Sequence, residues 1–415
     1  MDPRRLRPGE LASALPAGGL TLVSSCSAES DLLAAEVAAA GDGLGGIDCS
    51  GIFVGGLNRA TWDAGAQSRV TTFFLTPELK GQDARARFLP LCYEDILGFY
   101  RQEKPSAALF MCSPPDDRGY CSFGTEVAFI AALWPDIPVR IAHINPLMPR
   151  TPGDPGIPFD RLTGWFEGEQ ALRSMPAGAF GAASLAMAGH AAPLVPDGAT
   201  IQTGLGKLPD AILSALTGHR NLRLHTGLIG DGVLALLRSG VMAPGPSALV
   251  GVAIGSGELY DSLDDDRFQF RPVTVTHDAA TLAAIPQLVT INSAMEVDLF
   301  GQVFAESSSR GFQSGPGGAS DYARAARRSP GGLRIIALPS SARGTSRIVA
   351  PGAGHGPVSL SRFDVDCVGT EHGIADLRLA SHAQRAAALI AIAAPEHREA
   401  LDIAWRETAR HIQED

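Results

Sequence analysis

Lysine is almost missing from this chain of 415 residues and occurs only at Lys80, Lys104 and Lys207. Arginine supplies the rest of the 34 basic residues, against 44 acidic ones, so the formal net charge is -10. Proteins that bind nucleic acids or anionic membranes rely on basic patches. The charge balance therefore argues against both kinds of partner.

Long apolar runs are also missing. No stretch approaches the roughly 18 apolar residues that a membrane-spanning helix needs. The N-terminus, Met-Asp-Pro-Arg-Arg, is not followed by the apolar core of a secretion signal. We therefore expect a soluble, cytoplasmic protein.

Motifs for metal binding and for serine nucleophiles are absent as well. The six cysteines are scattered, and Cys112 and Cys121, the nearest pair, are too far apart for a CxxC element. Histidine, cysteine and acidic residues form no cluster with metal-ligand spacing, and no serine lies in a nucleophile elbow. We expect no metal cofactor, and we interpret the cysteines as small buried apolar residues.

Strand-like and helix-like segments alternate along the chain. This spacing predicts mostly parallel, doubly wound α/β sheets, and the length predicts two domains. The predicted strands of the N-terminal half are Leu20–Ser25, Ile47–Phe53, Val70–Leu75, Ala107–Met111 and Val139–Ile144. Those of the C-terminal half are Ala199–Thr203, Ala248–Ile254, Val273–Thr276, Leu288–Ile291, Ile335–Leu338 and Val365–Thr370. An irregular stretch rich in small residues places the boundary between domains 1–195 and 196–415.

The stretch Asn221–Leu237 predicts a short strand at Leu222 and Leu224, a glycine turn, and a helix that begins near Asp231. Such a turn is a favoured place for chemistry, because a helix N-terminus offers free N–H donors and a partial positive charge. His225 lies beside the turn. A lone histidine is more often a hydrogen-bonded structural residue than a catalytic base.

Four further polar or glycine-rich segments follow predicted strands or lie in loops, and each also has an ordinary structural interpretation. A tight turn would explain the first, a surface loop the second, a helix cap the third and a solvated strand edge the fourth. The segments are Gly204–Pro209, Ser314–Tyr322, Thr370–Arg378 and Ile291–Gly301, the last with Glu296 and Asp298.

Taken together and in order, the motifs of this chain resemble the acetyl-CoA hydrolase/CoA-transferase family, which includes 4-hydroxybutyrate and butyryl CoA-transferases. The resemblance extends over most of the chain, and it depends on the number and order of the motifs rather than on any single one. The matching segments are Ser113–Thr125, His143–Thr151, Gly204–Pro209, His225–Gly232, Gly255–Tyr260, Ile291–Gln302, Gly315–Asp321, Ser361–Asp366 and Thr370–Arg378.

The resemblance implies two similar open α/β domains, acyl-CoA as the substrate, and a homodimer. In the family a glutamate attacks the thioester, becomes a glutamyl-CoA thioester, and passes CoA to a second, small carboxylate. By motif match, backbone N–H groups of the Thr203–Gly204 turn and the Gly317–Gly318 loop would hold the oxyanion. By motif match, Asn292 and Glu371 line the site. The positions expected to contact CoA are Thr203, Gly204, Gly206, Gly317 and Gly318.

Gly227 stands where the family pattern has its catalytic glutamate, so a covalent route cannot start from this position. Three hypotheses follow. The first is thioester hydrolysis or direct transfer, with Glu371 or His225 as the general base. The second is a CoA-transferase whose glutamate comes from elsewhere in the chain. The third is a non-catalytic protein that keeps the pocket and binds CoA or acyl-CoA.

Overall fold

A computed structural model describes residues 3–80, 85–175, 178–309 and 311–413. The chain forms two compact units, and each unit is built from two segments. The first unit comprises Met1–Pro176 and Gly245–Asp278, and the second comprises Ala177–Pro244 and Ala279–Asp415. These units alternate along the sequence, whereas the domains predicted at 1–195 and 196–415 are contiguous. The predicted domains stay a prediction.

The first unit contains an eight-stranded sheet in which every neighbouring pair is parallel. Its central strands are buried on both faces, as expected of parallel strands covered by helices. The strands, in order across the sheet, are Arg4–Arg5, Gly164–Glu167, Val139–Ile144, Ala107–Cys112, Leu20–Val23, Asp48–Gly51, Arg69–Thr72 and Ala86–Phe88.

Two further strand pairs belong to the first unit. Ala248–Ala253 pairs in parallel with Phe268–Phe270, and Tyr120–Cys121 pairs antiparallel with Ile157–Pro158. The α-helices of this unit are Leu11–Ala14, Asp31–Ala40, Pro77–Lys80, Tyr93–Glu103, Ala128–Leu133, Gly257–Asp261 and Val273–Thr276. Its 3₁₀ helices are Cys26–Ala28, Gly41–Leu44, Trp134–Asp136 and Phe159–Arg161.

The second unit contains a sheet that is parallel except at one edge. The antiparallel strand at that edge is Gly373–Asp376, which pairs with Cys367–Thr370. The strands, in order, are Arg223–Ile229, Thr200–Thr203, Leu288–Ser293, Leu333–Ala337, Cys367–Thr370 and Gly373–Asp376.

Smaller strands and seven α-helices complete the described part of the second unit. The short strands are Glu296–Asp298, Val303–Phe304, Ser307–Ser308, Gly311–Phe312, Ser341–Ala342, Thr345–Ser346 and Ile348–Val349. The α-helices are Ala182–Ala191, Lys207–Ala215, Gly232–Ser239, Ala279–Ala284, Ala319–Ala326, His382–Ile392 and Arg398–Gln413, and the 3₁₀ helices are Ala192–Leu194 and Pro395–His397. At the start of His382–Ile392, Ser381 and Gln384 form a reciprocal capping box, which explains why the helix begins there.

The predicted fold class, α/β with mostly parallel sheets, is confirmed. The strand predicted at Val273–Thr276 is wrong, because these residues form one helical turn. Pro272 precedes the turn, and its carbonyl accepts from the backbone N–H of Thr276 (3.0 Å). Proline suits the start of a helix, and here it outweighs the strand preference of β-branched residues. Among the described residues, no helix combines the length and the apolar character needed to cross a membrane.

Candidate functional site

All the site residues predicted from sequence lie in the second unit. Thr203 is the last residue of its strand, Asn292 the last but one of the neighbouring strand, and Glu371 follows Thr370. Since these strands are parallel, their carboxyl ends meet at one edge of the sheet. Open α/β sheets bind their ligands at such an edge.

Asn292 is fixed in this edge by an amide pair with Gln202. The Asn292 amide nitrogen donates to the Gln202 oxygen (2.9 Å), and the Gln202 amide nitrogen donates to the Asn292 oxygen (3.2 Å). Gly204 lies against the pair, because a Cβ at this position would come within 3.2 Å of the Asn292 Oδ1 atom. The N–H of Gly204 donates to the Ile291 carbonyl oxygen (3.1 Å). That N–H therefore belongs to the sheet, although the sequence suggested this turn as an oxyanion donor.

The sequence suggested that Gly227 lies in a turn, but in the structure it lies inside a strand. The strand extends over Arg223–Ile229 and carries buried His225 and partly buried Gly227. The hydroxyl of Thr226 donates to the carbonyl oxygens of Thr203 (3.0 Å) and Leu228 (3.0 Å). Gly227 thus adjoins a residue that is bonded to the end of the neighbouring strand.

The helix after this strand, Gly232–Ser239, was expected to offer free N–H donors at its N-terminus. Instead, the N–H of Gly232 donates to an oxygen of the Asp210 carboxyl group (3.1 Å). Burial raises the pKa of Asp210 to about 6, although this hydrogen bond lowers it. The N–H of Gly232 is therefore already hydrogen-bonded to a carboxyl group of the protein.

Glu371 is held by both donors of one serine. Its carboxylate accepts from the backbone N–H of Ser340 (2.9 Å) and from the Ser340 hydroxyl (2.6 Å). Burial raises the pKa of Glu371, but these hydrogen bonds and the nearby His372 imidazole outweigh it and leave the pKa below its ordinary value. Glu371 is thus an ionised, oriented carboxylate at the sheet edge, two strands from Asn292.

The remaining predicted positions lie at two helix starts. Gly206 has φ +127°, a conformation that favours glycine, and it precedes the helix Lys207–Ala215. Gly317 has φ +62°, and Gly318 precedes the helix Ala319–Ala326. Backbone N–H groups at helix starts are suited to bind an anion such as a phosphate group.

Comparisons with known proteins identify the family of this chain. Residues 255–404 match the model of the acetyl-CoA hydrolase/transferase C-terminal domain. A 4-hydroxybutyrate coenzyme A transferase of Clostridium kluyveri is 34% identical over 76% of this chain and 76% of its own length. A succinyl-CoA:acetate/propanoyl-CoA:succinate CoA transferase of Fasciola hepatica is 35% identical over 82% of this chain and 74% of its own. The chain belongs to the acetyl-CoA hydrolase/CoA-transferase family.

A solved structure extends the family likeness to nearly the whole chain. The crystal structure of RipA from Yersinia pestis superposes with a TM-score of 0.88 at 25% identity and covers 98% of each chain. Among the described residues of this family member, no group of three or more histidine, cysteine or acidic side chains could hold a metal ion.

Sequence reasoning misinterpreted Glu296 and Asp298, which we expected at a solvated strand edge. Both are buried, at 2% and 0% exposure. Asp298 accepts from the backbone N–H groups of Phe300 and Gln302, which closes a turn, and from that of the distant Gly352. Glu296 accepts from the backbone and the imidazole of His355. Their alternation with apolar residues gave no hint of these partners, because His355 is 59 residues away along the chain.

Glu126 of the first unit was missed as well. It lines a cavity of about 20 Å³, room for one water molecule, together with Ser25, Met111 and Phe129. Its carboxyl accepts from the Ser25 backbone N–H (3.0 Å) and is 2.5 Å from the Ser25 hydroxyl. Desolvation nevertheless raises the pKa of Glu126 to about 8. An acidic residue directly after the Gly-Thr of a family motif was the available signal.

Proposed function

We propose that this protein is an acyl-CoA thioester enzyme that acts by hydrolysis, or by acyl or CoA transfer, without a glutamyl-CoA intermediate. The observation that carries the proposal is the position of Gly227. It lies in a regular strand beside Thr226, at the edge that also carries Asn292 and Glu371. Gly227 has no side chain that could form the covalent intermediate that the family resemblance implies.

The residues at this edge suit a thioester. An amide side chain has two N–H donors, and Gln202 takes one of those of Asn292. We propose that the second donates to the carbonyl oxygen of the thioester as it becomes an oxyanion. At Gly204, Gly206, Gly317 and Gly318 no side chain separates the main chain from a ligand, and a Cβ at Gly206 would meet no atom within 4 Å. We propose these residues, with Thr203, as contacts of CoA.

The reaction then needs a group that activates the attacking molecule. With water as that molecule, its oxygen bonds to the thioester carbon, the C–S bond breaks, and a carboxylic acid and free CoA are formed. With a small carboxylate as the acceptor, its oxygen bonds to the thioester carbon and the C–S bond breaks, which gives a mixed anhydride and CoA thiolate. When the thiolate then attacks the acceptor's carbonyl carbon, CoA has been transferred and the original acyl group leaves as its carboxylate. Glu371 and His225 are the sequence-based candidates for the general base in hydrolysis.

The test is release of CoA thiol from acyl-CoAs of different chain length, with and without acetate. We expect thiol release by the purified wild-type protein, and an unchanged protein mass during turnover. A protein–CoA adduct during turnover would instead indicate a nucleophile elsewhere in the chain. Tight CoA binding in calorimetry without any thiol release or transfer would indicate the non-catalytic alternative and would overturn the proposal.

A further inference from the structure

A histidine that the sequence motifs did not single out is coupled to a buried carboxylate of the second unit. The Nδ1 atom of His355 lies 3.0 and 2.9 Å from the two carboxylate oxygens of Glu296. The backbone N–H of His355 donates to the same carboxylate (2.9 Å). The Glu296 side chain is 2% exposed, whereas that of His355 is 45% exposed. One end of the imidazole is therefore anchored inside the protein, and the ring extends toward solvent.

This pairing fixes the tautomer of the ring. An ionised carboxylate only accepts hydrogen bonds, so the Nδ1 atom must carry the proton that is shared with Glu296. In the neutral ring the Nε2 atom then has a free lone pair. A carboxylate that holds the Nδ1–H of a histidine orients the ring and stabilises the imidazolium that forms when Nε2 takes up a proton.

Two glycines hold His355 in this position. A Cβ at Gly354 would lie 2.2 Å from the Phe304 ring. Gly356 has φ +85°, and a Cβ there would lie 2.6 Å from Ser307. The main chain on both sides of His355 therefore packs so closely against its neighbours that only glycine fits. A histidine between two such contacts has a defined position although its side chain is exposed.

A series of contacts connects the pair to Glu371. The Arg347 guanidinium is 3.9 Å from the Glu296 carboxylate, and the N–H of Arg347 donates to the Ser340 carbonyl oxygen (2.9 Å). Ser340 in turn donates to Glu371. Glu296 also follows Asn292 by only four residues. The His355–Glu296 pair is thus linked to Glu371 of the candidate site through Arg347 and Ser340.

The two bases suggested by the sequence are less suitable. Glu371 has a pKa below its ordinary value and already accepts two hydrogen bonds from Ser340, so it is a weak base. His225 is only 6% exposed and lies within a strand. Of these three candidates, the imidazole of His355 is the one that combines an orienting carboxylate with access to solvent.

We propose that His355, oriented by Glu296, is the general base of thioester hydrolysis in this protein, an inference that rests on the proposed function. The Nε2 atom takes a proton from water while the water oxygen bonds to the thioester carbonyl carbon. The oxyanion then collapses, the C–S bond breaks, and the imidazolium returns the proton to the CoA thiolate. The products are a carboxylic acid and CoA thiol, and the imidazole is neutral again.

Two variants and one control test this role by thiol release from an acyl-CoA that the wild type hydrolyses. His355→Asn keeps an N–H donor for Glu296 but has no base, and His355→Ala removes both. We expect each to lose roughly 10²- to 10⁴-fold in kcat, the usual contribution of a general base. Added imidazole should restore part of the activity of His355→Ala, since the site is open to solvent. His190→Ala, at an exposed position of the helix Ala182–Ala191, should retain wild-type activity.

The outcomes separate this inference from the proposed function. If the wild type releases no thiol from any acyl-CoA, the proposed function fails and the inference fails with it. If the wild type is active and His355→Asn stays within threefold of it, only the inference is overturned. The same holds if imidazole does not rescue a folded His355→Ala protein. A merely structural role for His355 predicts that asparagine, which preserves the hydrogen bond to Glu296, preserves activity.

Discussion

Two glutamates in different units of this protein accept hydrogen bonds from the same kinds of donor, but their pKa values shift in opposite directions. Glu126 of the first unit accepts from the N–H and the hydroxyl of Ser25, and Glu371 of the second accepts from the N–H and the hydroxyl of Ser340. The pKa of Glu126 is raised to about 8, whereas that of Glu371 is lowered.

The surroundings explain the difference. Glu126 is half-buried beside a cavity that is lined mainly by apolar side chains, and the negative charge of Glu29 adds to the effect of desolvation. Glu371 lies near the surface, with 21% of its side chain exposed, and the His372 imidazole is 3.9 Å away. Two good hydrogen bonds therefore do not decide the charge of a carboxyl group; desolvation does. At neutral pH, Glu126 is mostly a neutral acid and Glu371 an anion.

The largest effect that we expect from this comparison is on activity. Glu371→Gln removes the charge at the candidate site, and we expect thiol release to fall about 100-fold, or about 2.7 kcal/mol in transition-state stabilisation. Glu126→Gln replaces a neutral acid with a neutral amide, and at neutral pH it should stay within about twofold of wild type. Equal losses in the two variants would break the comparison.

The next effect is on the pH dependence of stability. Because the folded pKa of Glu126 is about 8 and the ordinary value is 4.5, the folded state retains a proton that the unfolded state releases. The stability that this retained proton contributes is complete below about pH 4.5 and is lost as the pH rises toward 8. We expect the free energy of unfolding of the wild type to fall by about 2 kcal/mol relative to that of Glu126→Gln between about pH 5 and 8. This is less than the full pKa shift implies, because the carboxyl group is not sealed from water.

Denaturant unfolding of both proteins at the two pH values provides the measurement, and the difference between the proteins isolates this one carboxyl group. The Glu126→Gln protein serves as its own control, since glutamine does not titrate. Parallel losses of stability in the two proteins would show that Glu126 is ionised in the folded state.

The smallest effects concern the two serines. Ser340→Ala removes a donor from an ionised, partly exposed carboxylate, and we expect a loss of about 1 kcal/mol in the free energy of unfolding at pH 7. This loss should shrink as the pH falls from about 4.5 through the lowered pKa of Glu371. Ser25→Ala should also cost about 1 kcal/mol, but with no such decrease at acidic pH. Chemical denaturation of both variants across this range distinguishes them.

Local patterns in the sequence were enough to predict most of the parallel strands. The buried strand Val139–Ile144 was predicted with its observed bounds, because a continuous apolar run between turns is typical of a central parallel strand. The family motifs also led to residues that lie at one edge of one sheet, including Asn292 and Glu371. Sequence order alone, however, misplaced Gly227, because the glycines of His225–Gly232 suggested a turn where the strand continues.

What the sequence did not predict depends on contacts between distant residues. Glu126 and Ser25 are 101 residues apart, and Glu296 and His355 are 59 apart. No local pattern reports such a pair, and the burial that sets the pKa of Glu126 exists only after folding. The glycines on both sides of His355 were a usable signal, since a side chain between two glycines in a polar loop is often held by close packing of the main chain.

The most direct test of the account is to restore the missing side chain at Gly227. The position is partly exposed and lies in a regular strand, so a glutamate fits its backbone conformation. Intact-mass spectrometry of Gly227→Glu and wild type, each mixed with acyl-CoA, reports any glutamyl-CoA thioester, and transfer to acetate is measured in parallel. We predict an adduct of the mass of CoA minus water in Gly227→Glu alone, and CoA transfer by this variant through that adduct. A folded Gly227→Glu protein with neither adduct nor transfer would contradict the claim that this site is a CoA-transferase site lacking only its nucleophile.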